Sequence, residues 1–154
     1  MEDLNVRIVR LAPMRVASAC GFGASPELQA WQTLLDWAKA GGLLDVALAP
    51  RFFGFNNPGP ESGSPNYGYE QWMAVGPDVV GGAGVTIKEF PGGLYAVSRC
   101  EGLQMITETW HRLATWCEGS AYVMGQHQWL EECFTPDAAR LEDYSFDLYL
   151  PIAD

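Results

Sequence analysis

Apolar positions along this chain recur in two helical blocks of the same spacing. Trp31-Gln32-Thr33-Leu34-Leu35-Asp36-Trp37 and Trp110-His111-Arg112-Leu113-Ala114-Thr115-Trp116 both read W-x-x-L-x-x-W and stand 79 residues apart in a chain of 154. In the first block Leu28, Trp31, Leu34, Leu35 and Ala38 follow a helical period. That helix has a start signal at Ser25-Pro26-Glu27 (cap, proline at the first position, acid in the first turn) and a stop at Gly41-Gly42. In the second, Leu103, Ile106, Trp110, Leu113, Ala114 and Cys117 share one stripe ending near Gly119. Around the helices the period shortens to two. Asn5–Leu11, Arg15–Cys20, Ala47–Asn56, Tyr67–Val75, Val85–Phe90, Leu94–Cys100, Gln128–Thr135 and Tyr144–Ile152 read as strands, with turns at Gly21-Phe22-Gly23 and Pro91-Gly92-Gly93. In the last strand Tyr144, Phe146, Leu148 and Leu150 point one way, and Ser145, Asp147 and Tyr149 the other.

Strand blocks extend the correspondence between the halves. Val6-Arg7-Ile8 matches Val85-Thr86-Ile87 at an offset of 79, and Val16–Cys20 matches Ala96–Cys100 at 80, which sets Cys20 and Cys100 at equivalent places. Two copies are too few for a solenoid, so the pattern predicts one domain over residues 1–154 with half-repeats at about 4–80 and 84–152. Each half reads β-β-α-β(-β). The expected class is α+β: a mainly antiparallel sheet with two helices on one face and the other face free for a ligand. Gly81-Gly82-Ala83-Gly84 between the halves reads as a hinge or bulge, and the Pro- and Gly-rich stretch 57–64 as a surface connection.

Composition narrows the function. Nine basic against nineteen acidic residues give a net charge of −10 without any basic run, which argues against nucleic acid and anionic membranes as partners and suits a cationic ligand. No apolar stretch is long enough to span a membrane, and the acidic Met1-Glu2-Asp3 is unlike a signal peptide, so a cytoplasmic location is expected. Cys20, Cys100, Cys117 and Cys133 form no C-x-x-C pair, and with only His111 and His127 they make no recognisable zinc site; reduced thiols and no metal are expected. Neither histidine has a spacing that fixes a nucleophile pair with Cys117 or Cys133. Glu131 and Glu132 cannot share one face of a strand as paired catalytic carboxylates. Gly81–Gly84 lacks the lysine and helix of a phosphate loop, and no cofactor is expected.

Nineteen aromatic residues, many on strands, supply walls for a flat ligand: Phe53, Trp72, Tyr95, Trp129 and Tyr149, with Trp110 at the edge if a cavity lies beneath its helix. Trp31 and Trp37 read as core. Glu131 shares a strand face with Trp129 and Cys133. A carboxylate held among aromatics is poorly solvated and favours an organic cation. Glu70, in Tyr69-Glu70-Gln71-Trp72, reads as its mate in the first half.

Several stretches together resemble the GyrI-like small-molecule-binding domains, also called AraC or MerR effector-binding domains. They are Leu-Ala-Pro-Met-Arg-Val-Ala at 11–17, both tryptophan-framed helices, Phe90–Val97, Leu130–Phe134 and Leu150-Pro151-Ile152. The resemblance implies two β-α-β-β units around a central ligand cavity. It also implies a glutamate on a late strand in an aromatic-Glu-x-Tyr pattern, matched here at Glu131, with Leu130 in the aromatic place and Cys133 in the tyrosine place. Because the chain begins directly with the first strand, it resembles the stand-alone form that carries no helix-turn-helix. The expected function is the binding of amphipathic, cationic aromatic small molecules. The resemblance also implies two alternatives: hydrolysis of strained cyclopropane-type electrophiles with Glu131 as the only catalytic group, and inhibition of DNA gyrase by protein contact.

Overall fold

The computed structural model describes residues 4–45, 50–57, 59, 63–136 and 138–154. In chain order its elements are β1 (Arg7–Leu11), β2 (Met14–Gly23), α1 (Pro26–Ala40), β3 (Phe52–Asn56), β4 (Tyr67–Ala74), β5 (Thr86–Phe90), β6 (Gly93–Glu101), α2 (Ile106–Glu118), β7 (Leu130–Cys133) and β8 (Ser145–Pro151). The fold is α+β, and the strand pairings within its two compact units are antiparallel.

The unit Met14–Phe90 is a four-stranded sheet in the order β5-β2-β4-β3 with α1 on one face. Leu34 and Ala38 of the helix meet Ala17, Ala19, Phe52, Met73 and Val85, with Trp31, Leu35 and Trp37 packed at the margin. The buried helix positions are Pro26, Ala30, Leu34 and Ala38, four apart. Leu28 lies half a turn from them and is 73% exposed, so it leaves the predicted stripe. Ala17 and Ala19 on β2 and Ala30 on α1 are fully buried.

The other unit holds the described residues up to Pro13 and Pro91–Asp154, in the order β1-β6-β8-β7 with α2. β1 therefore pairs with β6, and β5 with β2, so the boundary between units differs from that between the sequence repeats. The buried positions of α2 (Thr109, Leu113, Cys117) stand 79 residues after those of α1. A short 3-10 turn at Leu103–Met105 precedes α2, so Leu103 is not part of it.

Three local expectations are corrected. Gly21-Phe22-Gly23 is not a turn. It continues β2 opposite Tyr69, Gly68 and Tyr67, because a glycine at 21 removes the Cβ that would collide with the Pro26 carbonyl of α1. Gly81–Gly84 is no hinge. Gly82 and Val85 exchange two backbone hydrogen bonds of 2.9 and 3.0 Å around Ala83 (φ 52°) and Gly84 (φ 85°), a tight two-residue turn. Cys20 and Cys100 are not equivalent: with the helices at an offset of 79, an offset of 80 in a strand reverses the face. Cys100 is buried opposite Phe146, its thiol donating to the Gly102 carbonyl at 3.5 Å, whereas Cys20 is exposed opposite Glu70. The strand read at 47–56 begins at Phe52, residues 47–49 lying outside the described ones, and the one read at 128–135 is confined to Leu130–Cys133. In β8 the alternation leaves neither side to solvent, since Phe146 through Pro151 are all buried.

Candidate functional site

β7 distributes its side chains between two faces, and this divides the predicted site residues. Glu131 and Cys133 lie opposite Leu148 and Phe146, on the side of α2. There the indole N–H of Trp110 donates to Glu131 Oε2 at 3.0 Å, and the Trp110 ring meets Trp129 at 5.2 Å and 47°. Trp110 and Glu131 are half-buried, Cys133 is buried, and Trp129 remains 37% exposed. Trp110, Trp129 and Glu131 thus converge: a half-buried carboxylate beside two indoles, one of them partly exposed. Burial pushes the Cys100 thiol up, and the charge of Glu131 adds to that.

Tyr95 and Tyr149 do not join this group. Tyr149 pairs with Leu130 on the other face of the sheet, where its hydroxyl donates to the buried Glu132 at 2.7 Å. Tyr95 meets Tyr149 edge-on at 5.5 Å and His127 at 4.9 Å. Its hydroxyl donates to the Gln128 carbonyl at 2.5 Å, and burial holds that phenol well above the ordinary tyrosine range.

Glu70, Trp72 and Phe53 lie in the other unit, on the sheet face opposite α1. Phe53 stands across from Trp72 with the Arg51 guanidinium 5.0 Å from its ring centre. Glu70 is 1% exposed and accepts four hydrogen bonds. Asn57 Nδ2 reaches Oε1 at 3.0 Å; Ser18 Oγ, Trp72 Nε1 and Lys88 Nζ reach Oε2 at 2.7, 2.6 and 2.8 Å. Burial alone would raise its pKa, but the Lys88 ammonium, the Trp72 indole, Ser18 and Asn57 together hold it below the usual carboxylate value. Phe55 packs edge-on against Trp72 at 5.0 Å and Phe90 at a tilt at 5.4 Å.

Glu70 is not the counterpart of Glu131. It sits on β4 between Cys20 and Phe55; the same place in the other unit, on β8 between Arg99 and Glu132, belongs to Asp147. Asp147 is likewise buried and paired, with Arg99 Nε at 2.8 Å and Arg7 Nη2 at 2.9 Å. Sequence reasoning missed Asp147, Arg99, Ser18 and Lys88. One signal was available: aromatic-acid-x-aromatic spacing occurs at Tyr69–Trp72 and again at Phe146-Asp147-Leu148-Tyr149.

Among the described residues no group of three or more His, Cys, Asp or Glu side chains is arranged to hold a metal ion, and no helix is long and apolar enough to cross a membrane. None of the four cysteines is in a disulfide.

Comparison with known proteins places this geometry in context. The chain is similar in fold to the EcmrR C-terminal domain (TM-score 0.73, 12% identity, 98% of each chain covered). It is similar to a hydrolase from Listeria innocua (TM-score 0.71, 14% identity, 99% of this chain and 94% of that one). It is also similar to SAV2435, solved bound to tetraphenylphosphonium (TM-score 0.52, 12% identity, 97% and 94%). No curated protein matches the chain. The GyrI-like small molecule binding domain model matches residues 4–153, and the chain belongs to that family.

Proposed function

We propose that this domain binds amphipathic organic cations, with Glu131 as the charged contact and Trp110 and Trp129 as the aromatic walls. The observation that carries the reading is the corner these three residues form, half-buried and with one indole still exposed. A carboxylate there is poorly hydrated and gains most from a ligand that brings positive charge and apolar area together. Glu70 and Asp147, the buried carboxylates in equivalent places of the two units, are already held by Lys88 and by Arg7 with Arg99. Binding of tetraphenylphosphonium by a protein of the same fold supports the ligand class.

Titration with tetraphenylphosphonium and with neutral triphenylphosphine oxide tests the reading. Glu131→Gln is expected to weaken the cation by about tenfold or more, about 1.4 kcal/mol, while the neutral compound changes by less than about twofold. Equal losses for both would overturn the charge contact.

A further inference from the structure

We propose that Glu70 anchors a second cation site, specific for primary alkylammonium groups, which Lys88 fills from within the chain. The carboxylate is held by two kinds of donor. Ser18 on β2, Trp72 on β4 and Asn57 just after β3 are neutral and bond it at 2.7, 2.6 and 3.0 Å. These three fix its position without supplying charge. The compensating charge comes from Lys88 Nζ at 2.8 Å.

Exposure differs across that ion pair. The Lys88 side chain is 43% exposed and that of Glu70 only 2%. The lysine is therefore the group that stands between water and Oε2, and it arrives from β5, which pairs with β2 at one side of its unit. Asp147 contrasts with this: two guanidinium groups from two strands hold it. A lysine is a single flexible point charge, more easily exchanged than two planar forks.

Ligand class follows from the contact itself. An N–H bond of 2.8 Å to Oε2 suits an ammonium that still carries hydrogens, and a quaternary nitrogen cannot approach so closely. Phe55, Trp72 and Phe90 beside it are packed on one another and buried, so the path open to a ligand's alkyl chain is the one the half-exposed Lys88 stem now occupies. Binding is an exchange: the ligand's ammonium takes the hydrogen bond to Oε2 and the Lys88 ammonium moves into water. The tethered lysine competes at an effective concentration of about millimolar. In the native chain the site therefore responds only to an amine concentration that exceeds this, and a straight-chain amine fits best because it follows the path of the Lys88 stem.

Lys88→Ala tests this with n-butylammonium and tetramethylammonium as probes and the thermal midpoint as readout. n-Butylammonium is expected to raise the midpoint of Lys88→Ala saturably, with half-saturation about tenfold or more below that of the unsubstituted protein. Tetramethylammonium is expected to do nothing, and Glu70→Gln/Lys88→Ala to respond to neither. Equal effects of the two ammonium salts, or an effect that persists in the double variant, would overturn the proposal. Should Lys88→Ala not fold unaided, refolding rescued by n-butylammonium alone supports it, and rescue by neither salt overturns it. Tetraphenylphosphonium affinity is expected to be unchanged in Lys88→Ala, which separates this site from Glu131.

Discussion

Glu70 shows what a single buried charge asks of its surroundings. Its four donors outweigh the desolvation that would otherwise raise its pKa, so it stays ionised in the fold to lower pH than in the unfolded chain. As pH falls, the unfolded chain takes up this proton first. The stabilisation is therefore complete above the ordinary carboxylate value and is lost as pH falls through the lower value of the fold. Urea midpoints followed from about pH 7 down to about pH 3 should show a shallower acid decline in Glu70→Gln than in the unsubstituted protein. Parallel declines would contradict the assignment. At this scale the sequence was informative about residue type and silent about partners. An acid flanked by Tyr69 and Trp72 announced a carboxylate among aromatics. Ser18 and Lys88 are 52 and 18 residues away along the chain and reach it only through strand register.

Secondary structure was legible wherever local chemistry decides it. Pro26-Glu27 and Gly41-Gly42 bracket α1 as read, since a proline fits the first helical position and glycine leaves the helix easily, whereas Ser25 precedes the helix without a side-chain capping hydrogen bond. Strand faces were less legible, because a slip of one residue reverses every side chain. Matching serines and cysteines at an offset of 80 brought Cys20 and Cys100 together, while packing follows 79. The Gly-rich run at 81–84 misled for another reason: glycines there serve a tight turn rather than looseness. Ala83, at φ 52°, is the one non-glycine residue at positive φ among those described. A Cβ in that conformation costs about 1–2 kcal/mol, and asparagine before glycine is the preferred pair in such turns. Ala83→Asn should therefore raise stability by about 1 kcal/mol, read as a higher urea midpoint at unchanged slope. A lower midpoint would mean that the turn is set by something other than its backbone angles.

For the molecule as a whole, the α+β class and the family were readable from the spacing of short stretches. The exchange of first strands between the sequence halves was not, since β1 and β5 carry little in their sequences to say which partner strand they join. The same limit applied to the site. Resemblance led to Glu131, and helical period put Trp110 on the neighbouring stripe, so the trio with Trp129 could be anticipated. Tyr95 and Tyr149 were grouped with them because aromatic type was counted and face was not. They lie with Glu132 on the far side of β7.

A heavy-atom analogue of the ligand tests the central claim most directly. Crystals soaked in tetraphenylarsonium should give an arsenic anomalous peak within about 6 Å of the Trp110 and Trp129 rings, beside the Glu131 carboxylate, and a much weaker peak there in Glu131→Gln crystals soaked at the same concentration. A peak beside a different carboxylate, or one that survives the substitution at full height, would contradict the account.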